Sequence, residues 1–192
     1  PVIGEEDPEY IVEGWMPYRR IFDLVWWGKR HVMMGATQID AFGNQNISCI
    51  GAWEKPKVQL LGMRGAPGNT INHPTSYWIP KHTNRVFVEK VDVVSGIGYD
   101  RAAELGEKGS RFHEIRRVIS NLGVFDFNGE SRRMRVVSLH PGVRIEEVVE
   151  NTGFRLEIPS EIPNTRKPSD TELTLIRDQI DPSSFRKKEV PS

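Results

Sequence analysis

The chain has 192 residues, a length that fits one domain able to bury roughly 70% of the surface its unfolded form exposes. Twenty-six Lys and Arg balance 26 Asp and Glu, so no global field favours nucleic acid or an anionic membrane, while a local basic site for a phosphorylated ligand stays open. The single Cys49 excludes an intrachain disulfide and a cysteine-based zinc cage, no apolar run is long enough for a membrane span, and no signal peptide opens the chain, all of which points to the cytoplasm.

Residues 1–13 are acidic and irregular, and Pro1 in place of Met implies a natural start further upstream. Residues 16–27 read as a helix, with Pro17 in its first turn and Ile21, Phe22, Leu24, Val25 and Trp26 making a broad apolar face. Gly28-Lys29-Arg30 would stop it. Residues 31–35 suit a buried strand, and residues 37–41 alternate into a turn at 40–43 that feeds a strand over 44–50.

The run Gly62-Met63-Arg64-Gly65-Ala66-Pro67-Gly68-Asn69-Thr70-Ile71-Asn72-His73-Pro74 is the most distinctive part of the chain. Its glycines and prolines oppose a helix or an interior strand. They favour a tight loop whose backbone amides face a phosphate or a developing oxyanion, with an ordinary surface turn as the plain alternative.

Beyond it, residues 85–91 read as a strand of high β propensity, and 96–109 as a polar, mobile loop. Residues 116–121 and 134–139 read as strands joined through a turn at Asn128-Gly129-Glu130, and 145–151 as a short helix ended by Gly153. A Pro-rich, charged linker over 159–168 leads to a last helix opened by a Ser169/Glu172 capping box, with Leu173, Ile176 and Ile180 on its buried face. Many short strands with few short helices and no regular βαβ alternation predict a mixed α/β domain whose open sheet holds parallel and antiparallel strands.

Asn44 and Asn46 can share one strand face and hold a carbonyl or carboxylate without adding charge, or Asn44 can simply end its turn. Arg64, inside the glycine segment, can clamp a carboxylate or phosphate, or pair with a nearby acid. His73 and His140 lack spaced partners, so turn or core roles fit them better than a metal site, and no metal is expected. Ser95-Gly96-Ile97-Gly98-Tyr99 lacks the full dinucleotide fingerprint, and no helical pattern follows it. Cys49 reads as packing, and Asp40 and Asp126 as turn caps. The residues alone describe an anion-cradling α/β domain without a complete catalytic set.

Ser120-Asn121-Leu122-Gly123-Val124-Phe125-Asp126-Phe127, then His140-Pro141-Gly142-Val143 and the segment Glu146-Glu147-Val148-Val149-Glu150-Asn151-Thr152-Gly153-Phe154, resembles the C-terminal signature of class I CoA-transferase β subunits. Gly43-Asn44-Gln45-Asn46 resembles the family's Gly-Asn-x-Asn motif, and Gly65-Ala66-Pro67-Gly68-Asn69 falls where the family has its glycine loop at the oxyanion and thioester site. Glu13-Gly14-Trp15-Met16-Pro17-Tyr18, Ser76-Tyr77-Trp78 and the segment from Val91 to Asp100 are similar to one branch of it. Those are the β subunits of heteromeric hydrolases that open steroid rings in bacterial cholesterol breakdown.

The resemblance implies a single domain over residues 1–192 with the CoA-transferase fold, lacking an N-terminal part of the family domain. That fold is shared with sugar-phosphate isomerases, which lack the C-terminal signature. It also implies an α-subunit partner in an α2β2 assembly, a coenzyme A thioester as substrate, and no cofactor. Arg64 and Asn44 would support catalysis beside a carboxylate from the α subunit, and Asn46, Gly65, Ala66, Gly68, Asn69, Asn72 and Ser95 would bind the substrate. The implied activity is hydrolysis of a ring C–C bond; a true CoA transferase and a non-catalytic scaffold that completes the partner's pocket are the alternatives. Transferases carry their nucleophilic Glu upstream of residue 1, and Arg64 and Pro67 stand where they tend to have more glycine.

Overall fold

The computed structural model describes residues 14–27, 30–60 and 62–189. In chain order the elements are α1 (Tyr18–Trp26), β1 (Val32–Met34), β2 (Gln38–Ile39), β3 (Gln45–Asn46), β4 (Cys49–Ala52), β5 (Lys55–Gln59), α2 (Ala66–Asn72) and β6 (Pro74–Ile79). There follow α3 (Tyr99–Glu104), α4 (Glu107–Ser110), β7 (Glu114–Ser120), β8 (Gly123–Asp126), β9 (Arg135–Leu139), α5 (Ile145–Glu150), α6 (Asp170–Thr174), a π-helical turn (Leu175–Ile180) and α7 (Arg186–Glu189).

The main sheet has the order β1-β6-β7-β8-β9, with β1, β6 and β7 parallel and β7, β8 and β9 antiparallel. This is the mixed open sheet expected. In β6, an interior strand between β1 and β7, Thr75, Ser76, Tyr77 and Ile79 are all buried, so alternation gives way to burial on both faces. Tyr77, Ile79, Ile115, Val118, Phe125 and Val136 from the sheet meet Ile39, Phe87, Phe127 and Met134 in one core. Phe87 lies flat on the His82 ring, centroids 3.6 Å apart, and His82 in turn bonds Ser120 Oγ and Thr152 Oγ1.

Several sequence expectations change. Residues 66–72 are helical after all. Pro67 falls in the first turn, where its missing N–H would have no intrahelical partner, and Ala66, Asn69 and Thr70 bury one face. Residues 85–91 form no strand; Phe87 makes one parallel bridge to Ile39, and the propensity of this run is expressed as burial. The 96–109 loop contains α3 and α4, with Gly98 at the N-terminal boundary of α3, so a helix does follow that glycine pair.

The strand expected over 44–50 is split because Asn46 Oδ1 accepts the N–H groups of Ser48 and Cys49 and turns the chain between β3 and β4. β8 and its tight turn were missed. Ser120 Oγ accepts the N–H groups of Leu122 and Gly123 and closes that turn, while Asn128 to Glu130 lie in the longer β8–β9 connection. β1 is an edge strand with Met33 56% exposed, unlike the buried strand expected.

The capping box at Ser169 and Glu172 is present, yet Ile176 and Ile180 are 39% and 68% exposed, so the last helix buries no such face within this chain. In α1, Ile21 and Phe22 are exposed and Leu24 is half-buried. The side chains of Val25 and Trp26, the stop at Gly28 and Lys29, and the loop at 1–13 lie outside the described residues. No described helix is long and apolar enough to cross a membrane.

Candidate functional site

The glycine segment leaves the β-hairpin of β4 and β5, and Gly62 N–H donates to Ile47 O at 3.0 Å. A Cβ on Gly62 would sit 2.9 Å from the Ile47 side chain, which explains a glycine there. Gly65 opens α2 without a side-chain cap, and Asn69 N–H reaches back to Gly65 O at 2.9 Å. A cleft of about 630 Å3 between α1 and α2 is lined by Phe22, Asp23, Arg64, Gly65, Pro67, Gly68, Ile71 and Asn72. A second hollow beside it, lined by Tyr18, Phe22, Leu60, Met63 and Arg64, extends the apolar wall. Arg64 is exposed at the junction of the two, and among the described residues no carboxylate forms an ion pair with it.

Asn69 differs from the other candidate carboxamides. Its Nδ2 has only the Met34 thioether as acceptor, at 3.3 Å, and its buried Oδ1 has no partner among the described residues. Asn69 therefore keeps hydrogen-bonding capacity next to the glycine segment.

Asn44 and Asn46 have spent theirs. Asn44 is 2% exposed; its Nδ2 donates to Asp40 Oδ2 at 2.9 Å and Asp100 Oδ1 at 2.8 Å, and its Oδ1 accepts Gly98 N–H at 2.7 Å. Asn46 Nδ2 donates to Gln38 Oε1 and Cys49 O, both at 2.7 Å, and its Oδ1 holds the turn to β4. Ser95 Oγ is buried against Ser48 Oγ at 2.6 Å and accepts Ile47 N–H. Asn44 and Ser95 tie the 95–98 segment to the chain on either side of β3, Asn46 ties β3 to β2 and β4, and Ile97 N–H joins this layer to Thr70 of α2. Asn72, at the end of α2, lines the cleft directly.

Asp40 caps its turn as expected, accepting Phe42 and Asn44 N–H groups at 3.0 Å. Burial pushes its carboxyl above the usual range, against the lowering effect of those bonds, and Asp100 adds to the rise. His73 and His140 are indeed core and turn residues: His73 is fully buried, and His140 bonds Thr165 Oγ1 and Ser120 O. Cys49 is buried, as expected of a packing residue. Among the aromatics of the segments similar to the hydrolase branch, Trp15 is 85% exposed, whereas Tyr77 is in the core.

Two features escaped the sequence reading. Thr70 is a junction: its Oγ1 donates to Ala66 O and accepts Ile97 N–H, while its carbonyl accepts His113 Nδ1–H at 2.6 Å. The second is a group of arginines around Arg111, Arg116, Arg117 and Arg132, whose only sequence signal was the Arg116-Arg117 and Arg132-Arg133 doublets.

Comparisons with known proteins show what the whole chain is similar to. The IpdB subunit of the cholesterol ring-cleaving hydrolase of Rhodococcus jostii strain RHA1 is 53% identical over 190 residues, covering 99% of this chain and 74% of that protein. The crystal structure of R. jostii RHA1 IpdAB superimposes with a TM-score of 0.89 at 52% identity, covering 100% of this chain and 76% of that one. Glutaconate coenzyme A-transferase from Acidaminococcus fermentans matches with a TM-score of 0.78 at 28% identity, over 88% of this chain and 68% of that one. A coenzyme A transferase family model matches residues 23–151, a span that carries the glycine segment, the Asn44 network and the β7–β9 meander. With sequence, fold and family model in agreement, the chain belongs to the coenzyme A transferase family.

Proposed function

We propose that this chain is the β subunit of a heteromeric hydrolase that cleaves a ring C–C bond in a steroid-derived CoA thioester during cholesterol breakdown. The observation that carries the reading is the cleft at Arg64: a cation without an ion-pair partner among the described residues, set between apolar walls from Tyr18, Phe22, Met63, Pro67 and Ile71. Such a place suits a bulky apolar acyl group that carries a carboxylate or develops an enolate. The 53% identity to a cholesterol ring-cleaving hydrolase subunit supports the same substrate class.

In this reading a carboxylate of the α subunit takes a proton from water, and the water oxygen adds to a ring ketone. The C–C bond to the carbon shared with a second carbonyl then breaks, the attacked ketone carbon becomes a carboxylate, and the departing carbon leaves as the enolate of that second carbonyl and takes a proton back from the α-subunit acid. Arg64 and the amides of Gly65, Ala66 and Gly68 offset the developing negative charge, with each lost donor costing about 3 kcal/mol of barrier. Asn69 orients the thioester, Asn72 lines its path, and Asn44, Asn46 and Ser95 hold in place the layer joined to α2. The chemistry calls for no cofactor, and the assembly is α2β2 in the cytoplasm.

The test is a single incubation of the assembled heteromer with a steroid-ring-derived CoA ester and no acid acceptor, followed by mass spectrometry. Gain of one water with the thioester retained is the expected result. A second reading, a true CoA transferase, is favoured by the likeness to glutaconate coenzyme A-transferase. It requires an added acid, ping-pong kinetics and an enzyme thioester sensitive to hydroxylamine or borohydride.

A further inference from the structure

Among the side chains that line the two hollows meeting at Arg64, two carry a charge: Arg64 itself and Asp23 of α1. Opposite charges facing one cleft of about 630 Å3 attract, and a guanidinium taken up by a carboxylate has less to offer an incoming anion. Among the described residues the two do not pair. Asp23 Oδ2 instead meets Arg20 Nη1 at 3.5 Å.

The pattern of α1 accounts for this choice. Arg20 and Asp23 are one turn apart and Trp27 is two turns from Arg20, so the three follow one stripe of the helix. The Arg20 guanidinium lies 4.5 Å from the Trp27 ring centre, and Trp27 N–H donates to Asp23 O at 3.0 Å, continuing the last turn as far as the indole. A second stripe, Tyr18 and Phe22 with rings 5.4 Å apart, faces the hollow beside Arg64. Asp23 stands at the border of the two stripes. Neither Arg20 nor Trp27 lines either hollow, so the pull on Asp23 comes from outside the cleft. An exposed ion pair contributes little by itself, and it is stacking on the indole that restricts the arginine to this place.

We propose that Arg20 is a positioning residue: by holding Asp23 it keeps the Arg64 guanidinium available to the acyl group. Without Arg20 the Asp23 carboxylate competes with the substrate for Arg64, and the local charge falls from one net positive to none. This rests on the acyl-group reading of the Arg64 cleft.

The experiment uses the assembled heteromer, wild type and with Arg20→Gln, Arg20→Lys, Asp23→Asn, or Arg20→Gln and Asp23→Asn together, which completes a double-mutant cycle. Two quantities are measured. One is kcat/KM on a steroid-ring-derived CoA ester at low and high salt. The other, read without substrate, is the rate at which phenylglyoxal modifies Arg64, followed by peptide mass spectrometry.

Arg20→Gln is expected to lower kcat/KM about fivefold at low salt and to slow Arg64 modification to a similar degree. Arg20→Lys, which keeps the charge, should retain most of both. Adding Asp23→Asn to Arg20→Gln should restore both to within about twofold of wild type, since no acid is left to compete. The Arg20→Gln deficit should also narrow between about 0.05 M and about 0.5 M salt, as the screening length shrinks from roughly 14 Å to roughly 4 Å.

A deficit that persists in the double variant, or that ignores salt, would overturn the inference by making Arg20 a prop of α1 and nothing more. Wild-type kcat/KM with wild-type Arg64 reactivity in Arg20→Gln would overturn it as well. Failure of the wild-type heteromer to turn over any CoA ester would sink the acyl-site reading, while Arg64 reactivity slowed by Arg20→Gln and restored by Asp23→Asn would still establish the hold on Asp23.

Discussion

Asn44→Ala separates a catalytic carboxamide from a structural one. The substitution removes two N–H bonds to carboxylates, at 2.9 and 2.8 Å, and the 2.7 Å bond accepted from Gly98. Bonds to charged groups contribute about 1.5–3 kcal/mol and neutral ones about 1. With Asp100 half-buried, the low end applies, and the expected loss is about 4 kcal/mol. For a chain of this size that corresponds to a fall in Tm of roughly 8–16 °C.

The loss also has a pH signature. Burial already holds the Asp40 carboxyl above its ordinary value, so the folded state binds its proton more tightly than the unfolded state. Stability from this group is therefore lost as pH rises from the unfolded carboxylate value, about 3.9, through the raised folded value. Removing the Asn44 donor raises the folded value further, so the variant should fall behind wild type more at pH 7 than at pH 4.5. Thermal unfolding of the assembled heteromer at fixed concentration measures both effects. A Tm drop below about 2 °C, accompanied by a large loss of kcat, would refute the structural role and return Asn44 to the chemistry.

Arg64→Ala should lower kcat about a hundredfold or more while moving Tm by no more than about 2 °C, because the side chain is exposed and unpaired among the described residues; unchanged turnover would remove Arg64 from the site. Burial holds His82 down to about 4, so its contribution is present at neutral pH and is lost as pH falls from about 6.5 towards 4, on the order of 3 kcal/mol. His82→Gln should flatten that part of the Tm-against-pH curve, and an unaltered curve would show that other groups set it. Gly98→Ala would place a methyl carbon 2.6 Å from Asn44 N and against Phe42 O, so a marked loss of Tm is expected, and a neutral result would mean that this backbone gives way easily.

Family, sheet class and the place of the glycine segment were legible because they depend on local chemistry. Asp40 and Asp126 cap turns with their own side chains, Ser169 and Glu172 form a local box, and the 120–127 signature is one continuous word. What was not legible depends on distant partners. Arg85 to Val91 has strand propensity, but strand pairing there is limited to the Ile39–Phe87 bridge. Ala66 to Asn72 is a poor helix by composition, and tertiary burial of Ala66, Asn69 and Thr70 overrides that. Asn44 and Asn46 looked free because Asp100, Gly98 and Gln38, which satisfy them, are invisible in their own neighbourhood. The arginine group was unreadable for the same reason: its members come from three places along the chain.

The mixed sheet also sets an order of assembly. β7 and β8 are joined through Asn121 and Leu122 alone, whereas β6 reaches back across residues 35–73 to β1 and meets β7 only after the chain has run from Ile79 to Glu114. Closing the longer loop costs roughly 2–3 kcal/mol more in chain entropy. The antiparallel meander is thus the natural nucleus, and the parallel half, which carries α2 and the glycine segment, joins late. On a ribosome, residues 62–79 would emerge well before the strand that shelters them. Pulsed hydrogen exchange would register this as protection appearing in β7 to β9 ahead of β6, and chaperone demand should concentrate on that interval.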